Sequence, residues 1–299
     1  MGRRPRAAVL AVLLTVVAAC ALAAGCGGDE DLTEGLSPEE ILESSREAAA
    51  QVATYHAHVT LTLELAASGS APPEGILGRF VGQPVTIVAD GPVRRPLAEG
   101  GSAFSFDLDI QLGGFEVQGT LTKVNDAVYL SVLGADFQLD LPAEQARAVE
   151  LPPEPARFIA EPQEVGREEI DGVPTVHLEG EIATEAVLDY ALDLFAKAPN
   201  LLGGRSVPEG AELEELRASV IDAVQESRAG VWIATGDLLP RRAAAHLVLA
   251  GSLGALLPGV DGLTLDADAE IDGFDEDVEI EAPANPIPFD PQLFSGFLG

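Results

Sequence analysis

Residues 103–122 read AFSFDLDIQLGGFEVQGTLT. Phe104, Phe106, Leu108, Ile110 and Leu112 alternate with Ser105, Asp107, Asp109 and Gln111. Beyond Gly113-Gly114, Phe115, Val117, Gly119 and Leu121 alternate with Glu116, Gln118, Thr120 and Thr122. Side chains on a strand point to opposite faces in turn, so a period of two sorts these residues onto one apolar and one polar face. The Gly-Gly pair between the two runs is a hairpin turn. The stretch therefore predicts two antiparallel strands with one greasy side.

The same alternation extends both ways along the chain. Upstream, Val59, Leu61, Leu63 and Leu65 alternate with His58, Thr60, Thr62 and Glu64, and Val85, Ile87 and Ala89 begin a further strand that ends in a Gly- and Pro-containing loop over 91–96. Downstream, Asn125-Asp126 and Gly134-Ala135-Asp136 turn into strands at 128–132 and 137–141. A Pro- and Glu-rich connector follows, with a short helix near 143–148. The Asp171-Gly172 turn then joins strands at 164–170 and 173–182. Further strands are expected at 230–235, 241–250, 263–271 and 278–281. Helices are expected from Ser37-Pro38-Glu39-Glu40, a capping box with proline at the first helical position, to about Ala53; from Thr184; and over 211–228, where Leu213, Leu216, Val220 and Val224 form a stripe. Short turns rather than crossover helices join the strands, so the fold class is α+β with an antiparallel sheet. A sheet this large must cover its edges, and curling around helices is one way to do so.

The chain has 299 residues, enough for one large domain or two small ones. Its 49 acidic residues against 17 basic ones leave a net charge of −32, which argues against nucleic-acid binding and against docking onto anionic headgroups. The only cysteines, Cys20 and Cys26, lie near the N-terminus, so neither a disulfide framework nor a thiol nucleophile is expected. No G-x-S-x-G elbow, P-loop or H-E-x-x-H motif occurs. His56 and His58 share a strand face and could in principle ligate a metal, but Thr60, Thr62 and Glu64 mark that face as solvated. Asp266, Asp268, Glu270 and Asp272 superficially suggest a calcium loop. Ile271 stands where an EF-hand needs glycine, and alternation with Leu265, Ala267 and Ala269 makes the acids the outer face of a strand. No catalytic residue, metal or cofactor is expected.

The N-terminus reads as an export signal: Arg3, Arg4 and Arg6, then an apolar run from Ala7 to Ala24. It ends in Leu22-Ala23-Ala24-Gly25-Cys26, which resembles a bacterial lipobox. Val17-Ala18-Ala19-Cys20 is a competing match, but only Cys26 is followed at once by a polar tether, Gly27-Gly28-Asp29-Glu30-Asp31. An uncleaved anchor helix and an ordinary secretory signal are the alternatives. The lipobox resemblance implies a lipidated Cys26, loss of residues 1–25 and a mature net charge moved from −32 to −35 by removal of the three arginines. The chain then divides into a signal peptide (1–25), a lipidated acidic tether (26–36), one domain (37–282) and a Pro- and Phe-rich tail (283–299).

The order of pieces resembles the LppX/LprAFG lipoproteins of actinobacteria. The lipobox and capped helix are followed by Tyr55-His56-Ala57-His58-Val59-Thr60-Leu61, then by the hairpin from Val165 through Asp171-Gly172-Val173-Pro174-Thr175 to Leu178, then by Gly230-Val231-Trp232-Ile233-Ala234 before a Gly-Asp turn. The resemblance spans roughly Ser37 to Glu281. It implies a LolA-like half-barrel, a curved antiparallel sheet with helices packed on its concave face. It also implies an exported, extracytoplasmic protein, lipid-anchored to the cell membrane, that binds acyl chains of a lipid or lipoglycan and works with envelope transport machinery. Val59, Leu61, Leu63, Phe104, Phe106, Leu108, Ile110, Val117, Leu121 and Leu130 are the candidate cavity residues. The same residues would make ordinary core if the helices covered them fully, as in an envelope interaction or scaffold lipoprotein with a closed cavity. Phe289, Phe294 and Phe297 in the tail are candidates for a plug. Metabolic labelling with a palmitate analogue should tag the parent and a Cys20→Ala chain and leave Cys26→Ala unlabelled; the reverse pattern would move the anchor to Cys20.

Overall fold

The computed structural model describes residues 31–67, 81–96, 102–141, 146, 158–197, 210–251 and 260–289. The export signal, Cys26, most of the tether and of the short helix expected near 143–148, Phe294 and Phe297 lie outside these residues. The strands are β1 (Thr54–Ala67), β2 (Val85–Arg94), β3 (Ala103–Leu112), β4 (Phe115–Val124), β5 (Ala127–Val132), β6 (Ala135–Gln138), β7 (Ile159–Ile170), β8 (Val173–Ile182), β9 (Val224–Ala234), β10 (Pro240–Ala250), β11 (Val260–Asp272) and β12 (Ile287–Pro288). Helix α1 spans Pro38–Ala50, α2 Thr184–Lys197 and α3 Ala211–Ala223.

All twelve strands join one unclosed sheet in the order β12-β6-β5-β4-β3-β2-β1-β11-β10-β9-β8-β7, antiparallel except where β12 pairs with β6. The fold class is the α+β antiparallel sheet expected from the alternation. Strand β1 is its centre, paired along its length with β2 and β11. Its inward residues Tyr55, Ala57, Val59, Leu61, Leu63 and Leu65 are all buried. Helix α1 starts as expected: the Ser37 hydroxyl accepts from the Glu40 N–H while the Glu40 carboxylate accepts from the Ser37 N–H. Its Ile41 and Leu42 pack on Val176, Leu178, Val231 and Ile233 of β8 and β9, and Ala49 packs with Tyr55. Ala223, at the end of α3, packs with Leu61 and Leu63. Both helices thus cover the apolar face.

Four local expectations are corrected. Helix α3 stops at Ala223, not Arg228, because Val224 turns to extended backbone (φ −65°, ψ 119°) and β9 begins there against Leu249. The stripe ending at Val224 has helical spacing, and pairing with β10 overrides it there. The 91–96 loop is instead a continuation of β2 to Arg94, where Pro92 still pairs with His56. Strand β7 starts at Ile159, with irregular register around Pro162, which an edge strand tolerates. No strand forms at 278–281, although Ile280 is buried; the chain reaches β6 only at Ile287, and Phe289 there meets Phe137 edge-on with centroids 6.0 Å apart.

Glycine permits the β2 continuation. A Cβ on Gly91 would lie 1.9 Å from the Ser105 carbonyl oxygen of β3, a backbone atom that cannot swing aside. Gly91→Ala should therefore cost about 1–3 kcal/mol, the range of overpacking effects, read as a lower urea midpoint at unchanged slope.

Candidate functional site

The strand register turns the candidate residues into rows across the apolar face. Tyr55, Val93, Phe104, Lys123 and Val128 form the row at one rim. Val59, Ala89, Leu108 and Gly119 form a middle row, Leu61, Ile87, Ile110 and Val117 the next, and Leu63, Val85, Leu112 and Phe115 the last, beside the Gly113-Gly114 turn. Phe106, Leu121 and Leu130 align in the same way. All ten candidate lining residues thus lie on one face, as their parity requires.

Burial grades along that face. Val59, Leu61, Leu63, Phe104 and Phe106 are buried, and the rings of Phe104 and Phe106 lie 5.3 Å apart. Leu108 and Leu121 pack half-buried against this cluster, and Ile110 and Leu130 are also half-buried. At the Gly113-Gly114 rim Val117 is 37% exposed and Phe115 77% exposed. The face is closed at the Tyr55 rim and uncovered at the far end of β3 and β4.

The closed rim holds polar groups that the alternation did not single out. Tyr55 is fully buried, and its hydroxyl has no hydrogen-bond partner. Burial pushes the phenol well above its ordinary range, opposed by the nearby Arg95 charge. Arg95 is half-buried; its guanidinium donates to the Ala49 carbonyl oxygen at the end of α1, and its N–H donates to the Ala53 carbonyl oxygen at 2.8 Å. Burial pushes the guanidinium below its ordinary value. Lys123 is buried in the same row, and its Nζ donates to the Ser102 hydroxyl at 2.9 Å. The available signal for Tyr55 was its position, two residues before Ala57 on the inward parity. Nothing local marked Arg95, which becomes part of this rim only when β2 crosses beside β1.

The opposite face is polar. A depression of about 330 Å³ there is lined by Thr60, Thr62, Glu179, Gly230, His246 and Asp266, among others. In its lining the rings of His177 and Trp232 stack at 4.0 Å, and Arg242 lies over the Trp232 ring at 4.9 Å while its guanidinium grips Asp268. A shallower hollow of about 650 Å³ over β2–β6 is lined by Asp90, Asp107, Asp109 and Asp136 with Thr120 and Ser131. Asp107 and Asp136 accept from Thr120 and Ser131. His56 and His58 stand on this polar face beside Asp90, at 3.8 and 3.4 Å. Asp266, Asp268, Glu270 and Asp272 line the outer side of β11, with Leu265, Ala267, Ala269 and Ile271 buried between them. Among the described residues no group of three or more His, Cys, Asp or Glu is disposed to hold a metal ion, and no helix is long and apolar enough to cross a membrane.

The class the structure defines is a single open, almost wholly antiparallel sheet whose apolar side lies under helices. The solved structures it is similar to include LprF from Mycobacterium bovis (17% identity, covering 84% of this chain and 100% of that one, TM-score 0.47) and the Mycobacterium tuberculosis lipoprotein LppX (16% identity, 81% and 97%, TM-score 0.43). A LolA superfamily protein from Nitrosomonas europaea also matches (10% identity, 87% and 97%, TM-score 0.23). No family model and no curated protein matches the chain. The identities are low and the overlaps loose, and only this chain's own residues bear on its function.

The stacked pair is a built-in reporter, because Trp232 is the only tryptophan. Burial holds His177 below its ordinary value, against the raising effect of Glu168 and Glu179. A group with a depressed basic pKa stays neutral until the pH falls below its unfolded value, so acid costs stability from about pH 6.5 downward. Trp232 emission should change with a midpoint below pH ~6.5, and His177→Gln should remove that step.

Proposed function

We propose that the protein is a lipid-anchored envelope lipoprotein that holds the acyl chain of a lipid or lipoglycan against its inner sheet face and carries or chaperones it. The observation that carries this reading is the graded face: continuous Leu, Val, Ile and Phe rows, closed at Tyr55 and uncovered at Val117 and Phe115. A membrane-leaving acyl chain loses about 0.8 kcal/mol for each CH₂ exposed to water, so apolar rows of this length offset most of that loss. Pocket and bilayer are then close in free energy, as reversible transfer requires. The polar face carries the excess acid, which keeps the body soluble and off anionic headgroups.

A second reading has its own support. Val59, Leu61, Leu63, Phe104 and Phe106 are as buried as ordinary core. An interaction or scaffold lipoprotein of the same fold would keep that core shut and use its surface instead.

Mass spectrometry of the lipids that co-purify with the exported Cys26→Ser chain separates the two. A carrier retains acyl lipids in near-stoichiometric amount, and Ile110→Gln, in the half-open row, lowers that retention. Folded protein recovered without lipid would support the scaffold.

A further inference from the structure

We infer that Tyr55 and Arg95 form the head-group end of the acyl site, and that they bind the carboxylate of a long-chain fatty acid. This rests on the acyl-binding reading of the same face and adds the chemistry of the ligand's polar end.

The first observation is the Tyr55 hydroxyl, fully buried and unpartnered in the row that closes the apolar face. A buried O–H without an acceptor is costly, and native proteins seldom keep one without a reason. The second is the Arg95 charge. Among the described residues Arg46, Arg167, Arg217, Arg228, Arg241 and Arg242 each hold a carboxylate, and the exposed Arg94 holds none but stands in solvent. Arg95 is half-buried beside Tyr55 and holds none among the described residues; its guanidinium donates to the Ala49 carbonyl oxygen. That oxygen also accepts from the Gln51 and Val52 N–H groups, so it stays satisfied if Arg95 turns to another acceptor. One neutral donor and one uncompensated guanidinium match a carboxylate, which accepts several hydrogen bonds and gains most from a charged donor.

The position suits the tail. From the Tyr55 row to the Leu63 row is eight residues of strand, about 27 Å. An acyl chain spans about half of a 30 Å hydrocarbon core in a bilayer, so its length is within the distance from the polar end to the uncovered rim. Val59, Leu61, Leu108 and Ile110 lie along the way.

Two variants separate head-group binding from a purely structural role. Tyr55→Phe removes only the hydroxyl. Arg95→Gln removes the charge and keeps an amide donor for the Ala49 oxygen. The probes are 11-(dansylamino)undecanoic acid and its methyl ester, titrated against the purified Cys26→Ser chain with Tm recorded alongside. The parent should prefer the acid over the ester by roughly tenfold, each variant should lose most of that preference, and ester binding and Tm should stay near the parent's. Equal affinity for acid and ester in the parent would overturn the carboxylate assignment and leave acyl binding standing. So would variants that weaken both probes equally with a lowered Tm. A parent chain that binds neither probe would sink both the assignment and the acyl-binding reading.

Discussion

The pairing of β1 with β11 holds the molecule together. These strands are some 200 residues apart in the chain, yet they run in register from His56–Asp272 to Leu65–Leu263. On one side of β1 lies the meander β2 to β6, built from local turns; on the other lie β11 back to β7. Only this contact makes the two halves one sheet and their two apolar faces one surface. The inward residues of β1 are accordingly the most completely buried run in the described chain. The loop-closure entropy of joining such distant segments is offset by that burial, at roughly 25 cal/mol for each Å² of apolar area removed from water.

The two faces of the sheet divide the chemistry. Outward positions carry much of the acid, and several side chains there meet in cross-strand pairs. Arg242 sits between Trp232 and Asp268, Arg228 meets Glu179, and His246 meets Asp266 at 2.6 Å. Such pairs are exposed or half-exposed, so each adds little energy to the ladder that joins β8, β9, β10 and β11. Inward positions carry almost nothing polar until the Tyr55 row, where Tyr55, Arg95 and Lys123 gather. A face that is apolar along its length and polar at its closed end has the same polarity order as an amphiphile.

The N-terminal segment meets the body at that closed end. The Leu32 N–H donates to the Thr235 carbonyl oxygen, just past the end of β9, and Asp31 pairs with Arg167 near the end of β7. Asp31 is only five residues after Cys26, so a lipid on that cysteine would tether the rim opposite the uncovered Val117–Phe115 end.

Alternation in the sequence was enough to establish the antiparallel α+β class, most strand positions, the capped start of α1 and the sharing of one face by all ten candidate residues, because side-chain parity is a local property of extended backbone. The confinement of both cysteines to the first 26 residues and the acid excess likewise narrowed the chemistry. At Val224 the local pattern favoured continued helix, and the β10 partner overrode it. The strand order, the amount of cover on each row, and the meeting of Tyr55 with Arg95 belong to tertiary structure alone. They depend on which distant segments pair and on where α1 and α3 come to rest, and period and composition carry no information about contacts across two hundred residues.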